Sequence, residues 1–356
     1  AASGAVLNEE LSDYIIMGEL SLDGTLHPIK GILPIAIKAR EEGFKGLIIP
    51  KENAKEAAVV NNLDVYGANC LLEVINFFNK KGSIEKTVID TRKEFFEQLN
   101  NFEMDFSDVR GQENVKRAFE VAAAGGHNII LIGPPGAGKS MVAKRISTIL
   151  PPLTLHEALE TTKIHSVAGK IGKETSLMTE RPFRNPHHTI SDVALVGGGG
   201  FPQPGEISLA HNGVLFLDEL PEFKRTVLEV MRQPLEDRKI TISRAKSTVE
   251  YPASFMLVAA MNPCPCGYYG EGDRCTCTPS RRIAYMSKLS GPIMDRIDIQ
   301  LWMHPIDARK LVERKPAESS SVIAARVLKA REIQKKRFAE DGIFCNAAMN
   351  NRQIEK

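Results

Sequence analysis

The sequence has few cysteines, no long apolar run and almost no excess of one charge. Six cysteines in 356 residues do not make a disulfide scaffold, so we expect reduced thiols and a cytoplasmic protein. No run is long and apolar enough to cross a membrane, and no membrane partner is expected. Residues 1–10 lack the basic start and apolar stretch of a secretory signal peptide.

A formal net charge of +2 gives no global reason to expect nucleic acid, although charge can be local. Apolar residues make up 43% of the chain and charged residues 25%, which is ordinary for a globular protein. The length predicts two or three domains, and we find neither repeats nor low-complexity tracts. Because the first residue is Ala1 and not Met, we expect a fragment or a processed chain.

Residues 133–140 have the complete pattern of a phosphate-binding loop. An apolar strand over 128–132 precedes them and a helical pattern over 140–150 follows, which is the context that the motif requires. Lys139 is expected to reach the β- and γ-phosphates, and the Ser140 hydroxyl to ligate Mg²⁺. A glycine-rich turn without a ligand is disfavoured because every position of the motif is filled. The predicted ATP-binding residues are Gly133, Pro134, Pro135, Gly136, Ala137, Gly138, Lys139 and Ser140.

Two carboxylates follow the apolar strand at 214–217. Ligands of open α/β sheets bind at the carboxyl ends of the strands. Asp218 is expected to hold Mg²⁺ through water, and Glu219 to polarise the attacking water as the catalytic base. An acidic pair alone would more often be a solvated strand end. Together with the phosphate-binding loop it favours hydrolysis over mere binding.

A third apolar strand, at 254–261, ends in Asn262. The amide could orient the lytic water from a neighbouring strand, which is the role we favour. The alternative is a turn-forming Asn before Pro263.

The organisation of the chain follows from these patterns. Residues 1–80 alternate short strands and helices as a small α/β unit, and residues 81–107 form a charged linker with a short helix. The ATPase module covers residues 108–305. Residues 306–356 start a helical lid, with a basic helix over about 319–338.

The chain resembles AAA+ ATPases of the magnesium-chelatase-like branch that includes the ComM/YifB family. The most specific segments are residues 181–191 and 204–211. The resemblance implies a three-layer P-loop sandwich with a parallel sheet, with ATP and Mg²⁺ as cofactors. It also implies a homo-oligomeric, hexameric ring that moves on DNA and branch-migrates it when taken-up DNA recombines. The segment at Val109, Gly111 and Gln112 would lie against the adenine.

Residues 18–32 resemble the later half of the Lon-type protease fold, so the first domain is expected to be a partial Lon-like α/β domain. Leu33 stands where such proteases place their catalytic Lys, and Lys30 does not fill that role. The segment that would carry the catalytic Ser is absent, and we expect no proteolysis. The resemblance further implies a truncated lid, which puts the activity of this chain in doubt.

Residues 289–298 resemble the segment that supplies an arginine finger to the next subunit. Arg296 would then stabilise charge on the γ-phosphate in trans and make hydrolysis depend on assembly. The alternative is an ion pair of Arg296 with Asp295 or Asp298 in its own subunit.

Two loops are candidates for contact with a substrate polymer. The alternating strands at 239–243 and 247–251 resemble a hairpin that touches the DNA backbone in related motors, with Arg244 and Lys246 as phosphate contacts. The glycine-rich stretch 197–202 would face the central pore. A solvated hairpin tip and an exposed loop remain equally open interpretations.

Four cysteines lie within fourteen residues and suit a structural Zn²⁺ site, although the C-x-C spacing is unusual and free thiols remain an alternative. They are Cys264, Cys266, Cys275 and Cys277. His187 and His188 lack acidic or cysteine partners, so we expect a structural or nucleotide-sensing role for them. Cys70 and Cys345 are isolated and are expected to be packing residues.

Two other functions remain open from the sequence. One is a motor that remodels a protein partner, as in metal-chelatase assemblies. The other is a regulatory ATP-binding protein without motor activity.

Overall fold

The computed structural model describes residue 6 and residues 9–97, 104–172, 175–200, 202–244, 247–305 and 317–355. Its contacts group the chain into two compact units. The first comprises residues 1–99 and 153–180, and the second comprises residues 100–152 and 181–356.

The described residues form short strands and helices that alternate along the chain. The strands are β1 (Tyr14–Ile16), β2 (Glu19–Leu20), β3 (Leu26–His27), β4 (Gly46–Pro50), β5 (Asp64–Ala68), β6 (Ile129–Ile132), β7 (Phe183–Arg184), β8 (Gly197–Gly198), β9 (Gln203–Pro204), β10 (Val214–Leu217), β11 (Lys239–Arg244), β12 (Ser247–Pro252), β13 (Met256–Met261) and β14 (Ile299–Trp302). The helices are α1 (Ile32–Glu41), α2 (Lys51–Ala58), α3 (Leu71–Phe78), α4 (Thr91–Glu97), α5 (Glu113–Gly125), α6 (Lys139–Arg145), α7 (Leu155–Val167), α8 (Asp192–Val196), α9 (Glu206–Leu209), α10 (Arg225–Val230), α11 (Arg232–Asp237), α12 (Pro279–Met286), α13 (Gly291–Met294), α14 (Ser320–Arg337) and α15 (Asn351–Ile354).

The first unit is built on a parallel sheet with strand order β1-β4-β5. Every residue of β4 is buried, as expected for a central parallel strand. Residues 14–20 contribute to two sheets, because β1 joins this sheet whereas β2 pairs with β3 in a hairpin. Leu33 is fully buried in the core, and its backbone N–H donates to Glu56 Oε1 at 3.2 Å.

Residues 153–180 pack with the first unit, although the sequence analysis placed them in the ATPase module. Helix α7 begins with a capping box between Thr154 and Glu157. Leu153, Ala158 and Leu177 are buried in the same cluster as the core residues of α1. The division at residues 80, 107 and 305 stays a prediction.

The second unit is built on a five-stranded parallel sheet with the order β14-β6-β13-β10-β7. Alternate residues of its central strands point to opposite faces. Ile130, Leu215 and Leu257 belong to one hydrophobic cluster. Ile129, Val214 and Val258 belong to the other. Because both faces are buried, the strands read as continuous apolar runs.

Helices cover both faces of this sheet. One layer contains α5, α6 and α14, and the other contains α8 to α13. The predicted α/β sandwich with a parallel sheet is therefore confirmed. The order places the carboxyl ends of β6, β13 and β10 side by side, and these strands lead into the phosphate-binding loop, Asn262 and Asp218.

Helix α14 is fastened to α5 by buried apolar side chains and by one charged cluster. Ile323 and Val327 are fully buried against the sheet core. Arg326 donates to both carboxylate oxygens of Glu120, at 2.8 and 3.0 Å, and also to Glu318. The hydrogen bond from Arg326 lowers the pKa of the Glu120 carboxyl against the opposing effect of burial. The basic helix predicted over 319–338 is thus part of the second unit.

None of the helices within the described ranges combines the length and the low polarity that crossing a bilayer requires.

Candidate nucleotide site

The phosphate-binding loop connects β6 to α6, as the sequence predicts. Gly133 follows the strand directly, and its backbone N–H donates to Met261 O at 3.2 Å. A Cβ atom on Gly133 would come within 2.5 Å of Met303 O, so the close approach of β14 requires glycine here. The loop ends at Gly138, the residue before α6, so the helix N-terminus faces the site.

The Lys139 side chain bends back and contacts the main chain of this loop. Its ammonium group donates to Gly133 O at 2.6 Å, to Pro134 O at 2.9 Å and to Asn262 Oδ1 at 3.1 Å. Burial lowers the pKa of Lys139, and the charges of Asp218 and Glu219 oppose that shift. A half-buried cation with carbonyl partners is well placed to exchange them for phosphate oxygens.

Ser140 and Asp218 meet at the carboxyl end of β10. The Ser140 hydroxyl donates to Asp218 Oδ2 at 2.6 Å, and the Glu219 backbone N–H donates to Asp218 Oδ1 at 3.0 Å. Hydroxyl and carboxylate oxygens are the ligands that Mg²⁺ prefers. The donor set therefore fits the predicted Mg²⁺ site.

Glu219 has a backbone that is unusual for a non-glycine residue. Its φ of 54° lies in the left-handed region, directly after β10. Its side chain is paired with His188, since His188 Nδ1 lies 3.1 Å from Glu219 Oε2. His187 stacks on His188 with ring centroids 4.1 Å apart, and its own Nδ1 lies 2.9 Å from Thr189 Oγ1. One histidine of the pair thus contacts the predicted base.

Asn262 follows β13, between the strands that carry the loop and the acidic pair. Its amide oxygen contacts Lys139. The structure thus brings Lys139, Ser140, Asp218, Glu219 and Asn262 to one edge of the sheet.

The predicted adenine segment lies at the start of α5. Val109 is fully buried, and Gln112 has a left-handed backbone with φ 58°. The Gln112 side chain donates to His304 O at 2.8 Å. The neighbouring Met303 is the residue that approaches Gly133, so this short segment links the start of α5 to the phosphate-binding loop.

Arg296 is held in its own subunit by Glu236, not by Asp295 or Asp298. Arg296 Nη2 donates to Glu236 Oε1 at 2.9 Å, and Arg232 Nε reaches the same oxygen at 3.1 Å. Hydrogen bonding from Arg232, with the charge of Arg296, lowers the pKa of the Glu236 carboxyl. The Arg296 side chain is 43% exposed. It lies on the surface and is not among the groups gathered at Lys139.

The hairpins that carry the two predicted polymer contacts touch at Tyr251, away from the tip of the basic hairpin. Strands β11 and β12 form an antiparallel hairpin, and the glycine stretch forms the small hairpin β8–β9. Tyr251 Oη donates to Pro202 O at 3.0 Å across the two hairpins. Lys246 and Phe201 lie outside the described residues, as does the Arg244 side chain.

The four clustered cysteines converge, with all four Sγ atoms within 4.8 Å of one another. Cys264 Sγ lies 3.3 Å from Cys266 Sγ and 3.8 Å from Cys275 Sγ. A tetrahedron with Zn–S bonds of about 2.3 Å has edges of about 3.8 Å. A hydrogen bond from the Tyr268 backbone N–H lowers the pKa of Cys266 to about 6, whereas burial raises the pKa of Cys277 to about 11. It is therefore the spacing of the Sγ atoms that fits a tetrahedral metal site.

Comparison with known proteins agrees with this geometry. Residues 105–311 match the family described as magnesium chelatase, subunit ChlI, and residues 1–53 match a second ChlI family. The chain belongs to this family of AAA+ ATPases. Membership implies ATP and Mg²⁺, which the residues around Lys139 and Ser140 suit.

Two similar proteins match over most of the chain. YifB of Escherichia coli is 43% identical over 339 residues, which are 95% of this chain and 65% of that protein. Competence protein ComM of Haemophilus influenzae is 41% identical over 359 residues, which span all of this chain and 69% of that protein. The chain thus spans about two thirds of these relatives.

A third similar protein is a protease that matches less than half of this chain. Lon protease 2 of Bacillus subtilis is 31% identical over 189 residues, covering 45% of this chain and 33% of the protease.

Three contacts were not predicted from the sequence. They are the contact of His188 with Glu219, the surface pairing of Arg296 with Glu236, and the packing of the cysteine loop, residues 264–277, on the phosphate-binding loop. The adjacent histidines were the only signal of the first. Nothing in the local pattern indicated the other two.

Proposed function

We propose that this chain is the motor part of an ATP-hydrolysing ring that moves on DNA and branch-migrates it when taken-up DNA recombines. ATP hydrolysis is supported by five residues that meet at one edge of the sheet: Lys139, Ser140, Asp218, Glu219 and Asn262. In it Glu219 polarises the attacking water, Asp218 and Ser140 hold Mg²⁺, and Asn262 orients the water.

The ring is supported by the position of Arg296. Its guanidinium lies on the surface and meets a single carboxylate oxygen that it shares with Arg232. An exposed ion pair of this kind contributes little to stability, so an incoming phosphate could compete for Arg296. We propose that Arg296 completes the site of the next subunit in a hexamer.

DNA as the substrate is supported by two observations. The glycine hairpin and the basic hairpin are adjacent, so both could meet one strand. The relative ComM is named a competence protein. Cations at Arg244 and Lys246 would contact phosphates without reading sequence.

The test is ATP turnover of the protein with and without branched DNA, at low and moderate salt. Strong stimulation by DNA that Arg244→Ala/Lys246→Ala removes, with binding that weakens steeply as salt rises, supports a DNA motor. Lys239→Ala is the matched control, since Lys239 lies on the same hairpin but is paired with Glu250 at 2.9 Å. ATP turnover that DNA leaves unchanged would refute the proposal that DNA is the substrate.

A second candidate is a motor that remodels a protein partner. The family description, a subunit of magnesium chelatase, favours it. Binding to a protein that does not respond to salt, together with turnover that DNA leaves unchanged, would support this alternative.

We also propose that the four cysteines hold a structural Zn²⁺. The support is their mutual spacing and the burial of Cys264 and Cys277. Zinc analysis of the purified protein should find about one Zn²⁺ per chain, lost in Cys266→Ser. Protein that neither contains nor takes up zinc would refute the site.

A further inference from the structure

The cysteine loop packs directly on the phosphate-binding loop. It begins two residues after Asn262, whose amide oxygen contacts Lys139. At its first turn the Gly267 backbone N–H donates to Cys264 O at 2.9 Å. The turn gives Gly267 a φ of +88°, and its Cα lies against the ring of Pro135.

The contact between Gly267 and Pro135 leaves no room for a side chain. A Cβ atom on Gly267 would lie 2.7 Å from Pro135 Cδ and 2.9 Å from Pro135 Cγ. The same atom would lie 3.9 Å from Cγ of Asn262. Gly267 therefore touches the phosphate-binding loop and lies close to the residue that contacts Lys139.

We propose that metal in the four-cysteine site positions the nucleotide site, because it fixes the turn at Gly267 against Pro135 and fixes Asn262 beside Lys139. This inference rests on the proposed zinc site. Without metal, the four thiol groups have no common centre, and the loop from Cys264 to Cys277 loses the metal–sulfur bonds that close it. Pro135 then loses its contact with Gly267. Gly267 is thus a positioning residue, and the cysteine site sets how well the loop is preorganised for phosphate.

This arrangement predicts the direction in which metal changes ATP affinity. A loop that is already in place binds phosphate without a further loss of conformational freedom, whereas a loosened loop must be ordered on binding. Metal should therefore raise ATP affinity, and by linkage bound ATP should raise the affinity for metal by the same factor. The cysteine site would report on nucleotide occupancy as well as influence it.

The test measures binding of a fluorescent ATP analogue to the full chain, with zinc content determined on the same samples. The zinc-loaded protein is compared with protein stripped by a zinc-selective chelator, after the chelator is removed and Mg²⁺ restored. Stripping is expected to weaken binding about tenfold, and added Zn²⁺ to restore it. Stripped protein that binds the analogue as tightly as loaded protein would overturn the inference.

A pair of substitutions separates the contact from the metal. Gly267→Ala is expected to keep its zinc and still weaken binding about tenfold, since Pro135 must shift. Gly270→Ala is the matched control: its φ of +92° imposes similar backbone strain, but among the described residues its Cβ would meet only Trp302, at an ordinary 3.7 Å. Equal affinities of the two zinc-loaded variants would overturn the positioning role of Gly267.

The outcomes also separate the two proposals. Protein without zinc uptake refutes the metal site and this inference together. Full zinc content with binding that does not respond to stripping refutes the coupling alone. If Gly267→Ala does not fold, the comparison of loaded and stripped native chain decides.

Discussion

His188 Nδ1 lies 3.1 Å from Glu219 Oε2, so the predicted catalytic base has an imidazole partner. Glu219 also has a left-handed backbone, which fixes the direction in which its side chain leaves the main chain. Such strain at a strand end is typical of functional residues. The pair makes His188 a candidate for setting the position of the base.

Replacing His188 should therefore affect turnover more than nucleotide affinity. His188→Ala is expected to lower kcat about tenfold and to leave KM for ATP near its original value, because Glu219 loses its orienting partner. His156→Ala is the control, since His156 also pairs with a glutamate, Glu160 at 3.7 Å, but lies exposed on α7. Similar kcat values for the two variants would show that the pair has no role in hydrolysis.

Glu219→Gln should stop hydrolysis without preventing binding. Loss of a general base lowers turnover by about 10²–10⁴-fold, while the phosphate-binding loop remains intact. The variant should therefore retain ATP in a filter-binding assay. Glu222→Gln, at an exposed carboxylate that pairs with Lys288, is expected to hydrolyse ATP normally. Unchanged turnover in Glu219→Gln would mean that another group is the base.

ATP affinity should fall as the pH rises through the pKa of Lys139. Burial holds that pKa below its ordinary value of 10.5. Bound phosphate favours the charged ammonium and raises the pKa again. Between the lowered and the raised pKa, binding takes up a proton, so affinity decreases with pH; below both values it is constant.

Equilibrium binding between about pH 7 and 10 measures this dependence. Lys139→Arg is the control, because arginine stays charged throughout the range. The variant should bind more weakly but lose the decrease with pH. An identical decrease in both proteins would assign the effect to another group.

Arg296→Ala should abolish turnover that depends on assembly and leave ATP binding unchanged. An arginine finger contributes about 10³–10⁵-fold to turnover. Mixing Arg296→Ala with Lys139→Ala protomers should recover part of the activity, because each supplies what the other lacks. Arg232→Ala, which removes the other partner of Glu236, serves as the control. A mixture no more active than its components would place Arg296 outside the neighbouring site.

Ile323→Ala should destabilise the second unit by about 2–5 kcal/mol, because it opens a cavity between α14 and the sheet. Ile323 is fully buried, whereas Val322 on the same helix is 48% exposed. Val322→Ala is therefore expected to change the free energy of unfolding little. Fluorescence of Trp302, the single tryptophan, follows unfolding of this unit in urea. Equal midpoints for the two variants would mean that α14 does not stabilise the sheet.

The local sequence pattern was enough to predict most of the strands that lead to the predicted nucleotide site. The sequence predicts the strands before the phosphate-binding loop, Asp218 and Asn262, and the structure has them as β6, β10 and β13. Runs of apolar residues buried on both faces leave few alternatives for such strands. The hairpin β11–β12 and the helix α14 were likewise predicted to within a few residues. Strands β7 and β14 were not predicted, since each is short and takes its place only by pairing in the sheet.

The sequence by itself determined the phosphate-binding loop, the acidic pair and the apolar strands β6, β10 and β13, because each depends on neighbours along the chain. Tertiary structure alone decided that residues 153–180 pack with the first unit, that His188 meets Glu219, and that Gly267 lies against Pro135. These contacts join residues distant in sequence. They depend on side-chain direction and on how the connecting loops pack, which no local pattern encodes.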